Sequence, residues 1–461
     1  MRYIKLHENE KVPVFKNVIY ALRLVCKADK RLLISYLISY IFDDIFVRYI
    51  QSILFLKVLL SLFDRGAEFR EYVRDLLLFF AIAAVTKIIS WVAAYIRQVA
   101  TKNVLKVLNN MVFQKAISLD VGCYESPEFY DKYQRATLIM SAGYFDIICY
   151  DVALVVSGIV SLMLVIGTVT AISPVYLLFL LPIALVFVIE IFKSKAVYKR
   201  DLEMTGNNRT KAYIQRTVFL KDFSKDMRTS SIFSVMMKRF EKAVDDNIVI
   251  LKSYGVKLFL YSIVSSLFSE FIPIIGTYAY AGYKFVKGGS MTVSGFSVVV
   301  SSISTVREAT LDIAEAFDEM TQMALYFQNL KDFFDFEPSI KDGNIQAGEF
   351  ESLEFRNVTF RYPSAKKNTL ENISFKINRG ETVAVVGING AGKSTAVKLM
   401  LRFYDVTDGE ILYNGVNIKD YTLSSLRSSF ATVFQDYKNF AISVYENVMC
   451  HECTEWDKQK A

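Results

Sequence analysis

Residues Gly387-Ile388-Asn389-Gly390-Ala391-Gly392-Lys393-Ser394-Thr395 match the pattern G-x-x-x-x-G-K-[ST] in full. The chemistry of this pattern is phosphate binding. Glycines let backbone N–H groups converge on phosphate oxygens, and a helix that starts at the end of the loop adds the partial positive charge of its N-terminus. Lys393 is placed to reach the outer phosphates, and Ser394 offers a hydroxyl to Mg2+, which takes a few protein oxygens together with phosphate and water. A chance glycine turn is the plain alternative. Against it stands the order of the elements: an apolar strand candidate at 382–386, the loop, then a helical stretch at 396–403.

The flanking segments extend the motif. Phe360-Arg361-Tyr362-Pro363 lies upstream, and Thr432-Val433-Phe434-Gln435-Asp436 lies downstream, followed by Asn439-Phe440 and Val444-Tyr445-Glu446-Asn447-Val448. With the loop, they resemble the nucleotide-binding domain of ABC (ATP-binding cassette) exporters. That resemblance implies ATP and Mg2+ as ligands. It casts Tyr362 as the ring that stacks on adenine and assigns the phosphates to Gly387, Asn389, Gly390, Ala391, Gly392, Lys393, Ser394 and Thr395. It gives Ser394 and Gln435 to the metal. A solvated surface tyrosine and a solvated strand end are the bland readings of Tyr362 and Gln435.

The rest of the chain has to position this loop, and its composition points to lipid. Hydrophobic residues make up 53% and charged residues 22% of the 461 positions, and mean hydropathy is +0.29. Six candidate spans follow, at approximately 32–60, 75–97, 147–171, 174–193, 258–285 and 291–317. Long connections alternate with short ones. The two long loops carry Lys102, Lys106, Lys115, Lys132 and Arg135, then Lys195, Lys199, Arg200, Arg209, Lys211, Arg216 and Arg228. By the positive-inside rule these loops and both termini are cytoplasmic, as expected for a multi-pass protein of the inner (plasma) membrane. Residues 14–26 read as an amphipathic helix at the membrane surface.

The stretch Ser126-Pro127-Glu128-Phe129-Tyr130-Asp131 after Tyr124, and the stretch 213–240, are similar to the two coupling loops of the same exporters. Charges inside the spans are costly. Asp44 and Arg48, four apart, can pair on one helix face, whereas Glu270 and Arg307 are the candidates for a substrate pathway.

The expected architecture is therefore multi-domain. An all-α six-helix transmembrane domain (1–331) is followed by a linker (332–348) and a partial α/β P-loop nucleotide-binding domain (349–461). The resemblance implies an ATP-driven exporter of a peptide, lipid or hydrophobic small molecule, working in membrane lipid beside a second half-transporter, as a homodimer or heterodimer. In that family hydrolysis also uses an LSGGQ-like signature, an apolar strand ending in Asp-Glu and a switch histidine. These do not occur after Gln435, where His451 is the one histidine. The expectation is a truncated form that binds MgATP and hydrolyses it poorly, with no complete catalytic set. A non-transporting nucleotide-binding membrane protein, or a decayed remnant of a transporter, is the alternative.

The net charge of +7 is carried by loops between apolar spans, which excludes nucleic acid as the expected partner. Cys26, Cys123, Cys149, Cys450 and Cys453 show no framework spacing and read as free thiols. Cys450-His451-Glu452-Cys453 has metal-like spacing but lacks a second ligand pair.

Overall fold

The computed structural model describes residues 13–124, 129, 133, 136–137, 139–140, 143–287, 292–338, 340–363, 365–388, 390–434 and 439–449. The chain divides into two compact units, residues 1–115 with 132–335, and residues 116–131 with 336–461. In chain order the first helices are α1 (Val14–Asp29), α2 (Arg31–Asp44), α3 (Leu56–Arg65), α4 (Phe69–Ile117), α5 (Val121–Tyr124), α6 (Tyr144–Ile172) and α7 (Tyr176–Phe219). Then come α8 (Ser224–Thr229), α9 (Ile232–Ser266), α10 (Ile272–Val286) and α11 (Val293–Phe334). Two π-helical segments, Ile45–Phe55 and Leu267–Phe271, join α2 to α3 and α9 to α10.

In the first unit, five helical stretches are long and apolar enough to cross a bilayer: Arg31–Leu62, Phe69–Ile117, Tyr144–Ile172, Tyr176–Phe219 and Ile232–Lys284. They correspond to the first five expected spans. At 49 residues, α4 is about 73 Å long, more than twice a hydrocarbon core of about 30 Å. The stretch at 291–317 falls in α11, which is not among the five. Its serines, including Ser294, Ser297, Ser301 and Ser302, and its charged Arg307 and Glu308 lower its hydropathy. Much of its surface meets protein: Val298, Val299, Ile303 and Val306 share a buried cluster with Ile53, Val165, Val169 and Ile183.

Small residues allow this close packing. Ser157 and Ser161 of α6 are buried, and a Cβ on Gly158 between them would lie 3.1 Å from Ile313 of α11. Against the same helix, α1 buries Asn17, Val18, Ala21, Leu24 and Val25, and Asn17 Nδ2 donates to Ala324 O at 2.9 Å. One face of α1 is thus packed against protein, while Phe15 and Ile19 remain exposed. Helical periodicity alone does not say whether an apolar face meets protein or lipid.

Both π-helical segments aim a charge at α11. Arg48 pairs with Asp44 (Nε to Oδ1, 3.6 Å) and with Asp312, while Ser157 Oγ donates to Asp44 Oδ2 at 2.6 Å. Glu270 and Arg307, the two pathway candidates, bind each other at 3.2 Å. Glu190 accepts from Lys193 and from Ser265.

The second unit contains β1 (Ser352–Phe360), β2 (Leu370–Asn378), β3 (Asp408–Tyr413) and β4 (Val416–Asn417), an antiparallel sheet of order β2-β1-β3-β4. Its helices are α12 (Lys393–Met400), α13 (Leu423–Ser428) and α14 (Val444–Met449). The alternation in β1 buries Leu353 and Phe355, then Val358 and Phe360. A register shift between Phe355 and Val358, with Asn357 at φ 48°, resets the parity so that both halves face the core. Asn414 and Gly415, at φ 50° and 79°, make a two-residue turn into β4. Asp408-Gly409 begins β3.

One expectation changes here. Residues 382–386 form no ladder with any described strand, and Val386 is 93% exposed. An apolar run becomes a strand only where a neighbour takes its backbone hydrogen bonds. In the segment 332–348 the first residues finish α11, and from Ile340 the backbone is hydrogen-bonded within the second unit. Ile340 N donates to Asp120 Oδ2 at 2.9 Å, Asn344 N to Asp420 O at 2.9 Å, and Arg402 Nη2 to Lys341 O at 2.8 Å.

Candidate functional site

The phosphate loop runs from the extended segment 381–388 into α12, whose first residue is Lys393. Gly390 and Gly392 have φ of 84° and 87°, the left-handed region in which glycine is unstrained. Gly392 is also required sterically, since a Cβ there would lie 2.5 Å from Leu370 Cδ2 and 3.0 Å from Thr369 O. The loop closes with Ala391 N donating to Ile388 O (3.2 Å), and α12 starts with Ala396 N donating to Gly392 O (3.0 Å). The opening N–H groups of a helix have no acceptor within it and so are available to an anion. Lys393 Nζ donates to Gly387 O at 2.7 Å and to Ile388 O at 3.0 Å, folding its ammonium over its own loop. Ser394 is exposed, whereas Thr395 is buried. A backbone cradle, an ammonium at its rim and an outward hydroxyl fit a nucleotide phosphate chain with its magnesium ion.

Tyr362 is brought to the same place. Its hydroxyl is 3.2 Å from Thr395 Oγ1, and its ring meets Phe360 and Tyr404 edge-on, with centroids 4.9 and 5.2 Å away. The Lys398 ammonium lies 5.6 Å from the Tyr362 ring centre and 5.9 Å from that of Tyr404. Asn389 and Gln435 lie outside the described residues, as do Cys450, His451 and Cys453. Tyr404 and Lys398 were not anticipated from sequence. The available signal was spacing, since Lys398 follows Thr395 by three positions on α12.

Most of the first long loop's expected coupling segment, 126–131, is likewise outside the described residues. What precedes it belongs to the second unit. Asp120 is buried and accepts from Ile340 N, the Phe129 and Phe336 rings are 5.3 Å apart, and a Cβ on Gly122 would lie 2.7 Å from Tyr404 Cε1. Burial, with the Asp120 charge beside it, pushes the Cys123 thiol up. Burial lowers the pKa of the Arg427 guanidinium, with Asp120 acting in the opposite direction. Arg427 is held by donating to Leu401 O and Arg402 O at the end of α12.

Residues 370–461, from β2 through the phosphate loop, match the family described as ABC transporter. The C-terminal part of the chain is an ABC transporter domain. Over 383 residues, 81% of its length, the chain is 25% identical to the subtilin transport ATP-binding protein SpaT of Bacillus subtilis. It is 45% identical over 122 residues, 26% of its length, to an ATP-dependent lipid A-core flippase of Haemophilus influenzae. It is 44% identical over 108 residues, 23% of its length, to the protein of the same name in Salmonella typhimurium. The chain spans 61% of the first relative and 21% and 19% of the two flippases. It is a multi-pass membrane protein in which an apolar helical unit and a nucleotide-binding segment share one polypeptide.

Proposed function

We propose that this chain is the ATP-binding, membrane-embedded subunit of an exporter that moves a peptide, lipid or hydrophobic small molecule across the plasma membrane. It does so paired with a second half-transporter, and its termini and nucleotide site face the cytoplasm. The carrying observation is the phosphate loop itself, in which Gly390 and Gly392 at positive φ lead directly into α12 at Lys393. In this reading Lys393 leaves the carbonyls of Gly387 and Ile388 for the outer phosphates. The N–H groups of the loop and of α12 take the phosphate oxygens, Tyr362 stacks on the base, and Ser394 and Gln435 turn oxygens toward the metal. When bound, Mg2+ neutralises charge between the outer phosphates. The activity proposed for residues 1–461 is the binding of MgATP. Turnover additionally uses a signature segment and a general base, which are not among the residues named.

The test is titration of the purified full chain in lipid nanodiscs with a fluorescent ribose-labelled ATP, with and without Mg2+. The wild type should bind in a Mg2+-dependent way. Lys393→Ala should weaken binding by about 10- to 150-fold, the equivalent of losing a charge-assisted bond worth about 1.5–3 kcal/mol. Absence of wild-type binding, or equal binding by the variant, overturns the reading.

A further inference from the structure

Between the first and third apolar stretches lies a groove with a charge that nothing in the helical unit answers. The two helices run parallel, since their contacts advance together. The Tyr40 and Tyr150 ring centres are 5.0 Å apart, Ser157 bonds Asp44, and the Tyr49 hydroxyl is 2.8 Å from Thr168 Oγ1. Beside that last contact is a cavity of about 410 Å³, within the range of about 300–1,000 Å³ usual for small-molecule sites. Its apolar walls include Ile53, Leu54, Met163 and Leu164. Gly167 keeps it open: a Cβ there would meet nothing within 4 Å, whereas one on Gly158 of the same helix would lie 3.1 Å from Ile313.

The charged side chain lining this cavity is Lys57 of α3. Other bases of these stretches have acids beside them: Arg48 has Asp44 and Asp312, and Lys87 has Asp43. Lys57 is half-buried, and among the described residues its ammonium has no hydrogen bond, ion pair or ring contact. The hydroxyls of the cavity have no proton to offer. Thr168 spends its own on Leu164 O at 2.9 Å, so the Tyr49 hydroxyl must donate to Thr168 Oγ1. The three ammonium protons of Lys57 are left as donors. They suit an anion, and the walls suit a hydrocarbon attached to it.

Depth says where such a molecule comes from. Lys57 precedes Leu62, the end of its apolar stretch, by five residues, about 7–8 Å at about 1.5 Å per residue. Ala171, which also lines the cavity, is the last residue but one of α6. The cavity thus lies where the apolar stretches end, and a lysine stem extends from there to the level of lipid head groups.

We propose that this groove binds an anionic phospholipid, with its phosphate on Lys57 and one acyl chain laid over Gly167 between Leu54 and Met163. The inference goes beyond the export reading and does not depend on it.

The experiment uses the full chain in phosphatidylcholine nanodiscs doped with either phosphatidylglycerol or phosphatidylcholine bearing the same photoreactive diazirine chain. Illumination, proteolysis and mass spectrometry give the adduct yield on residues 49–57 and 163–171 relative to the whole chain. In the wild type phosphatidylglycerol should exceed phosphatidylcholine there by about fivefold or more, the effect of one lysine on an anionic lipid. Lys57→Met should bring the two lipids to within about twofold of each other, and Lys57→Arg should keep the preference. Gly167 is exposed, and leucine is the better helix former, so Gly167→Leu fills the groove without cost to folding. It should remove most adducts from both segments. Equal yields from the two lipids in the wild type mean a lysine that reaches only for water, and they overturn the proposal. So does an absence of adducts from both segments, as a groove covered by protein would give. A preference that survives Lys57→Met, or a yield unchanged by Gly167→Leu, overturns it as well.

Discussion

Replacing Arg48 by methionine should destabilise the helical unit severely, and the loss should be undone by removing the two acids that Arg48 serves. Arg48 Nε is 3.6 Å from Asp44 Oδ1, with side chains only 12% and 15% exposed, and its Nη2 bonds Asp312. At an effective dielectric near 20 the Asp44 attraction alone is about 5 kcal/mol, most of it offset by the cost of dehydrating both charges. Arg48→Met leaves Asp44 and Asp312 facing one another without a cation, which should cost about 3–5 kcal/mol. In the triple variant Asp44→Asn, Arg48→Met, Asp312→Asn, none of the three positions carries a charge, and stability should return to within about 1–2 kcal/mol of the wild type. The assay is reversible SDS-induced unfolding of the purified chain in mixed micelles, followed by circular dichroism. If the triple variant is as unstable as Arg48→Met alone, or if the single changes add to within about 0.5 kcal/mol, the three side chains do not act as a unit and the reasoning fails.

Tyr362→Ala should weaken labelled-ATP binding by about 5- to 150-fold, the range expected for loss of a base stack of about 1–3 kcal/mol. Tyr362→Phe keeps the ring and should stay within about threefold, as competition titrations will show. For the thiols, Cys26 is exposed and Cys123 buried. Burial and the Asp120 charge disfavour the Cys123 thiolate, so its reaction should begin at a higher pH than that of an ordinary thiol near 8.5. Maleimide at pH 7.5 should therefore label Cys26 first, and Asp120→Asn should move Cys123 labelling to lower pH, with peptide mapping by mass spectrometry as the readout.

The parts of this molecule that are legible in its sequence are those where a local pattern has a single physical outcome. G-x-x-x-x-G-K-S-T demands left-handed glycines and a helix start, and Gly390, Gly392 and Lys393 supply them. The alternation in 353–360 is a strand, and Asn414-Gly415 a two-residue turn. Long apolar runs appear as helices. What could not be read depends on partners distant in the chain. The valines of 382–386 are strand-like in type, but a strand needs a neighbour. An amphipathic α1 suits lipid and protein equally, and that Asn17 bonds Ala324 O, 307 residues away, is not legible in the sequence. Pairing of Glu270 with Arg307 joins residues far apart in sequence. Asp120, Tyr404 and Lys398 carry no motif and were found only through what they touch.

The segment that leads into the phosphate loop has a consequence for affinity. Residues 382–386 make no ladder with a described strand, and Val386 is almost wholly exposed. The backbone feeding Gly387 is therefore held chiefly by the loop's own bonds, including the two from Lys393. Those two bonds must be given up if the lysine is to serve phosphate. Any residue of this backbone that nucleotide fixes anew would cost about 1–2 kcal/mol of conformational entropy. A strand laid alongside 382–386 would do that ordering in advance and tighten the site without touching the ligand. By reciprocity, nucleotide in the loop would strengthen the grip on such a strand by the same factor.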